Sequence, residues 1–155
     1  SQDKFSEDLF TIYKTILKSR SITYIGFDGY FYYYRDEGSI VVSGYKKKHL
    51  EALDAVDDIE ESVKGKGRFD NALSTQYINV IYDIAARNPL LSEFRNKRIQ
   101  NNLKAHRMSV LKDSNAPKRL RGFAAISLLG NRIVLKVVVA RNRRWKVQRR
   151  ETKKR

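Results

Sequence analysis

Cysteine is absent from this chain, which excludes a disulfide framework, a thiolate zinc site and thiol catalysis. No apolar run approaches the roughly 20 residues that a helix needs to cross a bilayer. The first residues, Ser1 to Asp8, lack the basic and apolar regions of a signal peptide. These absences give the expectation of a soluble, intracellular protein with no membrane partner. Also missing are a Gly-rich phosphate loop, a nucleophile elbow, an HExxH pair and an EF-hand loop. Lys64-Gly65-Lys66-Gly67-Arg68 has glycines and cations but no strand before it, so it reads as a basic loop. His49 and His106 have no neighbouring metal-ligand partners in sequence. No cofactor and no metal are therefore expected, and the chain is read as a non-enzyme.

Acidic residues are scarce in one region only. Residues 95–155 hold 20 Lys and Arg against Asp113 and Glu151, a balance of +18, whereas residues 1–94 hold 12 against 15, a balance of −3. A one-sided field of this kind favours a polyanionic partner, and nucleic acid is the commonest. An acidic protein surface and an anionic membrane are the other candidates of that class.

At 155 residues with 41% hydrophobic content, the chain can bury one core without staples. Apolar spacing predicts a helix over residues 5–18, a second over 46–63 and a third over 71–87, the last closed by Asn88-Pro89. Asp28-Gly29 lies between the β-rich runs Ile22–Phe27 and Tyr30–Tyr34, the pattern of a tight hairpin, and Ile40-Val41-Val42 adds a third strand. Pro89 can open a fourth helix reaching Leu111, whose periodicity fails near Arg95. A loop over 112–121 follows. Phe123–Leu129 and Arg132–Ala140 then read as a second hairpin about Gly130-Asn131.

The expected fold is thus α+β: a three-stranded antiparallel meander packed by amphipathic helices, a C-terminal hairpin and a basic extension. Residues 1–140 form one domain, with 1–94 as a near-neutral scaffold and 95–140 as a basic helix, loop and hairpin. Residues 141–155 form a basic tail.

The candidate phosphate-binding residues follow from the charge map. They are Arg95, Lys97, Arg98, Lys104 and Arg107 on the fourth helix, and Lys118, Arg119 and Arg121 in the loop. Arg141, Arg143, Arg144, Lys146, Arg149 and Arg150 come from the tail, with Trp145 set among them as a ring for base stacking. Lys46, Lys47 and Lys48 open the second helix, where cations oppose the helix dipole and a bridging phosphate would explain them. In the first hairpin, Tyr30, Tyr32, Tyr33 and Tyr34 are stacking candidates for single strands.

The order helix, three strands, helix over residues 5–63, with lysines opening the second helix, resembles the plan of double-stranded RNA-binding domains. Of that family's Lys-Lys-x-Ala-Lys signature, Lys46-Lys47-Lys48-His49-Leu50 matches the first two lysines. The resemblance implies phosphate contacts at those lysines.

Helical spacing also gathers Asp54, Asp57, Asp58 and Glu61 on one face, a set that could hold Mg²⁺. The leading expectation is a non-catalytic nucleic-acid-binding protein, DNA or RNA, gripping backbone phosphates, as a component of a larger nucleoprotein assembly. The alternatives are an interaction module docking its basic half on an acidic protein, and a small metal-dependent nuclease using the four carboxylates.

Overall fold

Apolar residues three and four apart decide the architecture. The structure is a computed structural model describing residues 7–23, 25–26 and 45–152, the last ten of these as backbone alone, and every regular element among the described residues is helical. Helix α1 spans Glu7–Lys18, α2 Glu51–Val63, α3 Asp70–Ala86 and α4 Leu91–Phe94. Helix α5 spans Lys97–Lys112, α6 Lys118–Ile126 and α7 Asn131–Thr152. Short 3₁₀ turns at Lys47–Leu50, Gly67–Phe69 and Ser127–Leu129 precede α2, precede α3 and follow α6.

Helix α3 is the axis of the bundle, because it is apolar on more than one face. Its buried residues Tyr77, Ile78, Val80, Ile81, Ile84 and Ala85 let α2, α5, α6 and α7 all pack against it. The partners supply Leu53 and Val56 from α2, Ile99, Leu103 and Val110 from α5, and Leu120 and Phe123 from α6. Val134 and Val138 come from α7, and Phe94 is fully buried beside them in the same core. Each such burial is worth about 1.5–3 kcal/mol. Helix α1 lies on α2 through Leu9 and Tyr13.

The α+β expectation is overturned among the described residues. Phe123–Leu129 and Arg132–Ala140 are not strands: the first belongs to α6 and its 3₁₀ turn, the second to α7. The run Ile133 to Val139 is mostly β-branched and reads locally as strand, but only Val134 and Val138, four apart, are buried in the core. Tertiary burial at helical spacing has overridden strand propensity. Gly130, expected at a hairpin turn, instead separates two helical elements with φ +103° and ψ 160°, a conformation reserved for glycine.

Nor is 112–121 one loop. The loop is 113–117, and Pro117 leads into α6 at Lys118. The expected first hairpin and third strand fall mainly within residues 27–44, outside the described residues, as do Tyr30, Tyr32, Tyr33 and Tyr34. The described flank, Ile22, Thr23, Ile25 and Gly26, has no regular structure.

Chain breaks have local causes. Asn88 takes positive φ after α3, a conformation that asparagine tolerates. The fourth helix divides where its periodicity fails: α4 ends at Phe94, and Asn96 restarts the chain by accepting the Arg98 N–H on its side-chain oxygen at 2.9 Å. At the far end, the Asn142 amide donates to the Ala86 carbonyl at 2.9 Å, tying α7 to the C-terminus of α3. No helix among the described residues is long and apolar enough to cross a membrane.

Candidate functional site

Helix α5 has no acidic residue, and its core face, Ile99, Leu103 and Val110, fixes which side looks outward. The outward side carries Lys97, Asn101, Lys104, Met108 and Lys112, all exposed and spaced by four, three, four and four. At 3.6 residues per turn this spacing makes one straight ridge about 22 Å long. Lys97, Lys104 and Lys112 form no ion pair with the described residues. Lys112 is a member that charge mapping along the sequence passes over, and its signal is the spacing to Lys97 and Lys104.

Three arginines expected at the same surface are spent within the fold. Arg98 reaches from α5 to α2, where its two terminal nitrogens lie 2.5 Å from Asp54 and 2.6 Å from Asp57. Partial burial opposes its charge, but these carboxylates prevail and raise its pKa. Arg107 is half-buried and donates to the Ser127 carbonyl at 3.4 Å, bracing α5 against the turn after α6. Arg119 donates to the Asn79 side chain at 2.9 Å and lies over the Tyr82 ring at 5.5 Å.

The other expected residues are dispersed. Arg95 and Lys118 are exposed, Arg121 is half-buried and Arg141 is exposed on α7. Lys46, Lys47 and Lys48 are exposed at the 3₁₀ turn before α2. The residue following them, His49, is buried, and its Nδ1 is 2.8 Å from the Lys46 N–H. Arg143, Arg144, Trp145, Lys146, Arg149 and Arg150 lie on the helical course of α7, which runs across position 141 without a break. Arg132 and Lys136, exposed on α7, are cations that the sequence reading did not single out.

The acidic face of α2 is occupied by protein donors. Asp54 and Asp57 hold Arg98. Asp58 accepts the Tyr13 hydroxyl at 2.6 Å and pairs with Lys14 at 2.9 Å, while Glu61 pairs with Lys64 at 3.2 Å. The Tyr77 hydroxyl lies 2.7 Å from both Asp57 and Glu60. Burial first, then these two contacts, push its pKa far up. Among the described residues no group of three His, Cys, Asp or Glu side chains is placed to hold a metal.

One further polar pair looks chemical at first sight. His106 Nδ1 is 3.2 Å from the Ser74 hydroxyl. Ser74 is buried between α3 and α5, however, and the imidazole is stacked flat on Tyr77. A nucleophile needs an open, concave setting, so this pair packs the bundle. The apolar cleft bounded by Ile59, Val63, Phe69, Ala72, Leu73 and Gln76 holds no titratable side chain.

What the geometry leaves accessible is therefore an electrostatic surface, with the α5 ridge as its most ordered part. Compared with family models, curated proteins and solved structures, the chain matches none.

Proposed function

We propose that this chain is a non-catalytic nucleic-acid-binding protein that grips backbone phosphates through its basic half, within a larger nucleoprotein assembly. The observation that supports the reading is the ridge of Lys97, Lys104 and Lys112, a row of cations with no ion-pair partner among the described residues, along a helix with no carboxylate of its own. Regularly spaced ammonium groups suit a repeating phosphate backbone and read no base edge, so the binding is tolerant of sequence. Arg95, Lys118, Arg121 and Arg141 extend the same field. The nuclease alternative draws no support from the site, since Asp54, Asp57, Asp58 and Glu61 already carry protein partners.

Fluorescence anisotropy with labelled single- and double-stranded DNA and RNA at several salt concentrations tests the reading. The expected result is a linear fall of log affinity with log salt. Changing Lys97, Lys104 and Lys112 together to Gln should reduce the slope by about 2–3 units. Flat salt dependence, or no binding at low salt, overturns it.

A further inference from the structure

Apolar side chains on a protein surface are ordinarily scattered, but the start of α7 collects four of them beside cations. Leu128 and Leu129, in the 3₁₀ turn before it, are 53% and 66% exposed, and Ile133 and Val137 on the helix are 42% and 41% exposed. Val134 and Val138, one residue on and so about 100° round the same helix, belong to the core. Helix α7 therefore bears two neighbouring apolar stripes, one in the core and one exposed beside it. Folding accounts only for the first.

Arg132 and Lys136 are exposed and stand four residues apart, as do Ile133 and Val137. One residue of offset turns the second pair about 100° from the first, so a cationic row flanks the outer apolar stripe. No carboxylate occurs in the sequence between Asp113 and Glu151. A nucleic acid would satisfy the cations but offers little for four branched aliphatic side chains. An anionic bilayer surface satisfies both, with phosphates at headgroup level and hydrocarbon a few ångströms beneath.

We propose that the Leu128-Leu129 turn and the outer stripe of α7 lie in the interface of an anionic phospholipid bilayer, with the leucines inserted and Arg132 and Lys136 on headgroup phosphates. The attachment is peripheral. It uses residues distinct from the α5 ridge and stands independently of the nucleic-acid reading.

The test is co-sedimentation of the full chain with phosphatidylcholine vesicles and with mixed phosphatidylcholine–phosphatidylglycerol vesicles. The expected result is association with the mixed vesicles alone, weakened at least about tenfold by L128S/L129S. I133S/V137S and R132Q/K136Q weaken it as well, and because all six positions are on the surface, the helical circular dichroism is retained. Failure to associate with mixed vesicles, or undiminished association of L128S/L129S, overturns the proposal. A duplex titration of the same variants separates the two readings. L128S/L129S with lost vesicle association and intact duplex affinity supports the lipid assignment, whereas parallel loss of both overturns it. Vesicle association without binding of any single- or double-stranded DNA or RNA supports the lipid surface and removes the nucleic-acid function alone.

Discussion

The imidazole of His106 lies flat on the phenol ring of Tyr77, with 4.2 Å between centroids and 8° between planes. This stack sits where α5 meets α3, the most extensive packing in the bundle. Its position makes the proton count of His106 a property of the fold.

Burial lowers the pKa of His106, with the nearby Glu60 and Asp57 acting in the opposite direction. His49 is lowered too, first by burial and then by Arg87. A base depressed in the folded state binds fewer protons there than in the unfolded chain, so stability is present above the unfolded pKa of about 6.5 and is lost as pH falls through the folded pKa. Thermal unfolding followed from neutral pH to about pH 5 should show a falling Tm. H49Q/H106Q should flatten that slope; an unchanged slope would contradict the assignment.

Tyr77 has one hydroxyl proton and two carboxylate neighbours, so it donates to Asp57 or Glu60 at any instant. Y77F keeps the ring and its stack on His106 but removes the donor, and should cost about 1–1.5 kcal/mol in urea unfolding. Y77A removes the ring as well and should cost about 3–5 kcal/mol. Equal losses for the two would mean that the hydroxyl contributes nothing.

Arg98 joins α5 to α2, pairing with Asp57 and Asp54 across 41 and 44 residues of chain. The side chains are partly exposed, so the expected coupling is modest. A double-mutant cycle with R98Q and D54N/D57N should give about 1 kcal/mol, shrinking as salt is added. A coupling near zero at low salt would leave Arg98 available to phosphate after all.

A Cβ at Gly130 would meet no neighbouring atom within 4 Å, yet the backbone there has φ +103°. G130A should therefore destabilise by about 1–3 kcal/mol through backbone strain alone. A neutral result would show that α6 and α7 can be joined by another geometry.

The helices of the −3 half were legible because their signal is internal. Leu53, Val56 and Val63 on α2, and Tyr77, Ile81 and Ile84 on α3, repeat at helical spacing whatever packs on them. Helix α7 was misread for the converse reason: Ile133 to Val139 is apolar at every position but Lys136, so no stripe stands out, and the core buries only Val134 and Val138 from it. The cations were legible as a class but not as a site. Arg98, Arg107 and Arg119 look like Lys97 and Lys104 in the sequence, and only their distant partners Asp54, Asp57, Ser127 and Asn79 set them apart as groups already engaged within the fold.

The Asn142 amide ties α7 to the bundle, and the helical backbone runs ten residues further, to Thr152. Those ten residues add about 15 Å of helix. An α-helix is stiff along its axis, so a displacement of its last turns is passed back along it rather than absorbed locally. A load on that stretch thus reaches Asn142 and Ala86, and through them the end of α3.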